Sequence, residues 1–404
     1  MRIHRAYKTE LKLNNKQRTL LARCAGTARY AYNWGLRIKI DEYEATGKSP
    51  NYYELHRRLN ALKKTELSWM YEVSKTIPQE ALRDLDQAFQ NFFRRLKNKN
   101  GKGGEKPGFP RFKSRHRGLG SFRIWGAIRV ETGRIKLPRL GWLRLKEKGY
   151  LPVEGDCPER LNRVERLNEV EPAEGVKILS ATISERAGRW FVSLQVEEEL
   201  PETTATGAPV GVDLGITTMA VCSNGDRYEN PKALTRALKR LARLQRELDR
   251  REKGSRNRAK SKRKLAKLYL HIANIRQNAS HQATSAIVAR TKPDAERPSV
   301  IVMEELHVAG MMKNHNLARA IGDVGMGEFG RQLAYKAAWS GSHFVKADRW
   351  FPSSKRCSRC HRVKETLSLS ERVYRCNDCG LVIDRDLNAA INLEQLSTAS
   401  SAGI

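Results

Sequence analysis

The chain has 404 residues, which at about 150 residues per domain gives two to four domains and excludes a single small module. Lys and Arg number 76 against 44 Asp and Glu, a formal charge of +32 that calls for a polyanionic partner. Hydrophobic residues at 40% exclude wholesale disorder, and the lack of any long uncharged apolar run predicts a soluble, intracellular protein without signal peptide or membrane span.

A short basic strand over Arg2–Lys8 comes first. Asn15–Glu44 then places Leu20, Leu21, Ala28, Ala31, Tyr32 and Leu36 at helical spacing, which predicts a long amphipathic helix. Two further helices follow over Tyr53–Lys63 and Pro78–Lys97, the second with proline in its first turn and Leu82, Leu85, Phe89 and Phe92 as its apolar stripe. The texture then breaks. Arg94–Arg117 is rich in Gly and Pro and holds ten basic residues against the single acid Glu105, the composition of a loop. Alternation governs Ser121–Lys146 and returns in KILSATISERAGRWFVSLQVE, predicting a small antiparallel barrel or sheet. Between them, Glu154–Glu174 carries seven acidic and three basic residues and reads as a surface insertion.

The small-residue run Pro201–Pro209 has the composition of a linker and marks the main domain boundary. VGVDLGITTMAVCSNGDRY follows, with two strand patterns and the hairpin signal Asn224-Gly225. Lys232–Arg276 holds seventeen basic residues and three acidic and divides into two leucine-spaced helices, a basic helical hairpin of net charge +14. SVIVME, GEFGRQLAYKAAWSG and HFVKADRW then alternate strand, helix and strand, the pattern of an α/β domain.

Of seven cysteines, Cys24, Cys157 and Cys222 are scattered, while Cys357, Cys360, Cys376 and Cys379 fall within 23 residues as two Cys-x-x-Cys pairs. That spacing presents four thiolates tetrahedrally to Zn²⁺, and with every position filled by sulfur the metal is structural, not hydrolytic. Three acids carry the other chemistry. Asp213 ends the strand PVGVD, Glu304 ends VIVME, and Asp386 lies in IDRDLNAAINL where a helix begins. A lone acid after a strand is more often a cap or a solvated end. Three drawn together at strand ends would repel one another unless divalent metal neutralised them, and oxygen ligands with open positions suit Mg²⁺ or Mn²⁺. Two such ions about 4 Å apart activate water and stabilise the leaving oxygen of a phosphodiester. Alternation along VIVME sends Glu304 and Glu305 to opposite faces, so Glu304 is taken, as is Asp386 over Asp384. Gly215, just after Asp213-Leu, is expected to permit a sharp backbone turn.

GVDLGITTMAV, IVMEELHVAGMMKN, RQLAYKAAWSG, DRWFPSSKRCSRC and CGLVIDRDLNAAINL, with GFPRFKSR, SFR and KLPRLGWLRLK in the first half, together resemble the transposon-encoded TnpB (OrfB) family over nearly the whole chain. The resemblance implies a multidomain α+β fold. A helical recognition domain with its basic loop (13–118) is inserted in a wedge-type β-barrel (1–12 and 119–200). An RNase H-like, RuvC-type α/β domain (201–350 and 383–404) with an inserted zinc finger (351–382) follows. It also implies an RNA-guided DNA endonuclease related to the ancestors of type V CRISPR effectors. Such an enzyme takes its guide RNA from the transposon end and cuts double-stranded target DNA beside a short adjacent motif, here as a monomer in the prokaryotic cytoplasm, associated with the nucleoid. On the family pattern Asp213, Glu304 and Asp386 are the catalytic acids, in an order unlike that of Asp-Asp-Glu transposases. The acidic insertion is longer than the family leads one to expect.

Guide pairing reads the target, so the protein need only hold the backbone. Arg111, Lys113, Arg115 and Arg117 in the Gly/Pro loop, and the basic hairpin, suit that task. The resemblance places motif-reading side chains at Tyr52, Lys75 and Gln79, of which Gln and Lys can hydrogen-bond base edges. Trp125 and Trp142 read as core residues before stacking platforms. Two rivals remain: a non-catalytic zinc-finger nucleic-acid-binding regulator of transposition, and a strand-joining transposase, which the acid order and the missing Tyr nucleophile motif count against.

Overall fold

The computed structural model describes residues 1–98, 108–115, 118–152, 176–368 and 370–397. Two compact units divide the chain, Met1–Leu200 and Pro201–Ile404. The acidic insertion over 154–174 and Arg117 of the basic loop lie outside the described residues.

In the first unit, β1 (Arg2–Lys12) leads to α1 (Asn15–Thr46), α2 (Tyr52–Leu62) and α3 (Thr76–Asn98). Six strands follow: β2 (Ser121–Ile124), β3 (Arg129–Glu131), β4 (Arg134–Leu137), β5 (Gly141–Leu145), β6 (Lys177–Arg186) and β7 (Arg189–Glu199). The helices begin where side chains can satisfy their free N–H groups. Asn14 accepts from the Gln17 N–H while Gln17 accepts from the Asn14 N–H, and Asn51 and Glu54 repeat this reciprocal cap on α2. Leu21, Ala28, Ala31 and Leu36 of α1 share a buried core with Leu82 and Leu85 of α3. Gly35 permits the close crossing, since a Cβ there would lie 2.7 Å from Leu82 Cδ2.

The strands form one sheet in the order β2-β6-β7-β1-β5-β4-β3. β1 pairs antiparallel with β7 from Arg2 to Glu10 and with β5 at Leu11 and Lys12. Ala187 and Gly188, both left-handed at φ 55° and 79°, make the mirror-image turn that suits the twist of the β6–β7 hairpin. Two expectations about aromatic residues fail here. Trp125 follows the buried Ile124 and so points outward, its indole donating to Glu80 at 3.1 Å, and Trp142 is half-buried beneath Arg134, whose guanidinium lies 4.4 Å from the ring centre. Alternation along the strands, not ring size, decides both positions.

In the second unit, β8 (Val210–Leu214), β9 (Thr218–Cys222) and β10 (Arg227–Glu229) form an antiparallel meander whose second turn holds Gly225 at φ +92°. The basic hairpin is α4 (Ala233–Asp249) and α5 (Arg256–Val288). After β11 (Val300–Glu304) come α6 (Val308–Met311), α7 (Ala318–Val324), α8 (Met326–Trp339) and β12 (His343–Ala347). The hairpin of β13 (Val373–Arg375) and β14 (Val382–Asp384) then precedes α9 (Arg385–Glu394). The main sheet runs β10-β9-β8-β11-β12, with β8, β11 and β12 mutually parallel. No helix among the described residues is long and apolar enough to cross a membrane.

Both faces of this sheet are covered. Val212, Ile301 and Met303 pack with Ala283, Ile287, Phe329 and Leu333 of α5 and α8, while Val302 on the other face packs with Leu393 of α9. Gly211 faces α9 as well. A Cβ there would run into the Ala390 carbonyl oxygen and lie 2.5 Å from the Glu394 nitrogen, so α9 rests directly on the β8 backbone. Gly215, by contrast, keeps φ negative, and its lack of a side chain serves a close approach to the Thr218 carbonyl, where a Cβ would lie 2.7 Å away. Gly211→Ala should lift α9 and destabilise the protein by about 1–3 kcal/mol in thermal or denaturant unfolding. A variant as stable as the parent would refute the contact.

Candidate functional site

Parallel pairing sets Met303 opposite Val212, so one residue further Glu304 and Asp213 stand side by side at the carboxyl ends of β11 and β8. They share the face of Gly211 and Val302, the face on which α9 lies. α9 supplies the third acid, Asp386, in its first turn. All three are half-buried. Burial, then the carboxylates of Glu304 and Asp386, push Asp213 well above the usual carboxylate range; Arg385 opposes this and Asp384 adds to it. Three acids separated by some 170 residues of chain therefore act on one another in the folded protein.

The neighbouring acids have other work. Asp384 caps α9, accepting from the Leu387 N–H at 3.0 Å, and pairs with Arg227 at 3.2 Å. Glu305 is exposed. The Arg385 guanidinium stands 3.7 Å from Asp386 and supplies positive charge within the cluster.

Ser353 is a residue that sequence reasoning missed. Its buried hydroxyl donates to Glu304 Oε1, fixing that carboxylate. The loop that carries Ser353 is held in turn by α9. Asn392 Nδ2 donates to the carbonyls of Ser353 at 2.8 Å and Arg356 at 2.7 Å, Asn388 Nδ2 donates to Arg356 O at 2.7 Å, and Asn388 Oδ1 accepts the Ser358 N–H at 3.0 Å. The signal for this was present in LNAAINL: two asparagines four apart on an otherwise apolar helix, where only a buried partner compensates their poor helix propensity.

The same loop enters the cysteine cluster. The Sγ atoms of Cys357 and Cys379 lie 3.5 Å apart, as do those of Cys360 and Cys376, and all four lie within 4.8 Å of one another. Four sulfurs at the usual zinc bond length of about 2.3 Å would stand about 3.8 Å apart, within the range of these separations, so the cluster suits one tetrahedral zinc ion. Backbone N–H groups of Cys379 and Asp378 lower the pKa of Cys376, whereas burial and the other three thiols raise that of Cys360, so the four titrate as one group that metal binding would deprotonate.

The residues expected to touch nucleic acid lie in the first unit. Tyr52 opens α2, half-buried and stacked on His56, with the Arg83 guanidinium 5.6 Å from its ring centre; Arg83 is one turn along α3 from Gln79. Lys75, just before α3, is exposed and Gln79 half-buried. Arg111 and Arg115 are exposed. Lys113 differs: its backbone exchanges hydrogen bonds with the Asn33 side chain, and its ammonium lies 4.0 Å from the Tyr32 ring centre. Those contacts anchor the loop to α1 although Lys113 is exposed like its neighbours, and desolvation of the ammonium lowers its pKa.

Residues 191–315 match a family model described as "Probable transposase", and residues 327–393 one described as "Cas12f1-like, TNB domain". Residues 1–48 match a "Helix-turn-helix domain" model, although the structure holds β1 and the single helix α1 there. A Streptomyces pristinaespiralis protein named "Putative RNA-guided DNA endonuclease" is 35% identical over 99% of this chain and 91% of its own length. The chain belongs to the TnpB (OrfB) family. Its Escherichia coli K12 relative, "Putative RNA-guided DNA endonuclease InsQ", is 30% identical over 96% of this chain and 91% of its own. A solved structure of CasPhi-2 (Cas12j) bound to crRNA covers 98% of both chains at 11% identity and a TM-score of 0.45. Against that family background, the Ser353 and asparagine contacts of this TnpB-family chain join its acid cluster to its cysteine cluster through one helix.

Two outcomes follow from this geometry. Metal analysis should find one zinc per chain, and Cys376→Ser should lose it and lower the Tm, because Ser353 and Arg356 then lose the fold that presents their carbonyls to α9. Without divalent metal, Asp213 has a folded-state pKa above its unfolded one. Its ionisation therefore removes stability as pH rises from about 4 through the raised value. Asp213→Asn should flatten that slope and raise the Tm at neutral pH in EDTA, as a pH series of thermal melts would register.

Proposed function

We propose that this chain is an RNA-guided DNA endonuclease that hydrolyses target phosphodiesters at a RuvC-like site formed by Asp213, Glu304 and Asp386, with Mg²⁺ or Mn²⁺. The observation that carries the reading is the convergence of these three carboxylates at adjacent strand ends and one helix start, at an electrostatic cost that has no structural use. Curated relatives bearing the RNA-guided endonuclease name support it over the non-catalytic regulator.

The donor set is all oxygen, as hard divalent ions require, and bound metal would neutralise the cluster and polarise the scissile phosphate. The chain's own part is positional. Ser353 orients Glu304, the Asp384 cap fixes the first turn of α9 and with it Asp386, and Arg385 offsets part of the repulsion. The zinc finger at 351–382 has a structural role. In this reading guide RNA from the transposon end pairs with one strand of double-stranded target DNA. Tyr52, Lys75 and Gln79 read the adjacent motif, and Arg111, Arg115 and the basic hairpin of α4 and α5 lie near phosphates, while Lys113 holds the loop to α1.

We also read the first unit as a wedge-type barrel (1–12, 119–200) carrying a recognition domain (13–118). The second is an RNase H-like domain (201–350, 383–404), for which the order β10-β9-β8-β11-β12, antiparallel and then parallel, is the support. The protein works as a monomer in the cytoplasm. Asp213→Ala should lower Mg²⁺-dependent cleavage by about a thousandfold or more while the guide RNA that copurifies is unchanged. Cleavage at the parent rate by the purified variant would overturn the reading.

A further inference from the structure

An open groove of about 730 Å³ lies along α1, lined by none of Tyr52, Lys75 and Gln79. Its aromatic walls are Tyr30, Trp34 and Trp69; the rings of Tyr30 and Trp69 meet edge to face at 5.4 Å and both are exposed to about 40%. With Phe112, which is exposed to the same degree, they make a contiguous aromatic patch, and it is contiguous patches that mark interaction sites. Gly26 lines the same groove in the middle of α1. Unlike Gly35, where a Cβ would collide with Leu82, Gly26 has nothing within 4 Å of a Cβ position. Alanine would fit there and favour the helix. Packing within the chain therefore gives no reason for glycine, whereas a ligand pressed against the helix backbone does.

The rim defines the ligand. Arg23, Arg29 and Arg37 line the groove with one lining acid, Glu72, which pairs with Arg23 at 3.0 Å; Arg37 also stands 3.8 Å from Asp41 one turn on, and Arg29 donates to the Leu119 carbonyl at 3.4 Å. Arg37 lies 5.2 Å from the ring centre of Phe112, on the same groove. Flat aromatic faces within a cationic rim match unpaired bases joined by phosphates. The neutral polar groups are already engaged. Thr27 Oγ1 donates to the Arg23 carbonyl at 3.1 Å, and Asn33 is held by the Lys113 backbone. What the groove offers a ligand is therefore mainly rings and guanidinium groups, which hold bases and phosphates.

We propose that this groove binds single-stranded DNA, with bases stacked on Tyr30, Trp34 and Trp69 and phosphates at the three arginines. The inference rests on the reading that the chain works on opened DNA, because a closed duplex offers no free base face.

The test measures binding of a labelled oligodeoxythymidine to the full-length protein by fluorescence anisotropy, with no cleavage step, so its failure is separate from failure of the nuclease reading. Gly26→Leu, which fills the groove and leaves every charge in place, should weaken binding about tenfold, as should Trp69→Ala. Gly26→Ala should weaken it severalfold, because a methyl group already parts the ligand from the helix backbone, while the affinity for blunt duplex DNA should change little. The loss should persist as salt is raised, since stacking is not screened as ion pairs are. Crosslinking with 5-iododeoxyuridine should label Tyr30 or Trp69. If Gly26→Leu fails to fold, Trp69→Ala carries the comparison. Parent-like binding by the folded variants overturns the proposal, as does tighter binding of oligouridine than of oligodeoxythymidine at this groove.

Discussion

The contact between α9 and the bare backbone of β8 at Gly211 is the constraint on which the second unit turns. A helix can approach a strand this closely only where the strand has no side chain, and Gly211 stands two residues before Asp213 on the same face. Lowering α9 by the width of a methyl group brings its first turn level with the strand ends. Asp386 then reaches Asp213 and Glu304. Repulsion among the three acids pushes the other way, and burial makes it stronger. The helix is held down by Leu393 in the core and by the asparagine side chains that bond to the Ser353–Arg356 loop.

That arrangement makes one helix answerable to two sites. On one side α9 carries Asp386; on another, Asn388 and Asn392 grip the loop that enters the cysteine cluster. Ser353 closes the circuit by bonding Glu304. A metal in the finger would therefore stiffen a loop that orients an acid of the other site, and neither cluster is independent of the fold of its neighbour. Buried polar contacts of this kind add less to stability than to uniqueness, because each has a single geometry that satisfies it.

Much of this was legible in the sequence, and what was not follows a rule. Strand alternation separated Glu304 from Glu305, and the Asn224-Gly225 turn and the Cys-x-x-Cys pairs are local signals that the structure bears out. What failed or went unseen depends on contacts far apart in the chain. Gly215 drew attention beside Asp213, yet Gly211 meets α9, some 180 residues away. Ser353 has no motif around it. Trp125 is large and apolar, but Glu80, 45 residues earlier in the chain, offers its indole a partner. Lys113 looks like one more cation of a basic loop until its ammonium is found over Tyr32.

The net charge of +32 fits the same logic. Several acids among the described residues are placed where they tie elements together. Asp323 accepts from the N–H groups of Leu234 and Thr235 at the start of α4 and from Arg276 on α5; burial alone would raise its pKa, and these donors more than offset that. Glu247 of α4 accepts from Ser261 of α5 at 2.8 Å. Buried Glu80 takes Arg83, Arg123 and Trp125, and buried Glu198 takes Arg5 and Tyr7. Acids used as internal ties cannot also neutralise the surface. The basic hairpin shows the result: its two helices are pinned at the Asp323 end while Arg and Lys residues along them face outward without enough acid to match. Salt screens that repulsion mainly between charges farther apart than a Debye length, about 8–10 Å at physiological strength, so neighbouring cations along the hairpin still repel. A nucleic acid backbone would balance it in place, because its phosphates recur at a spacing that arginine and lysine side chains can follow along a helix.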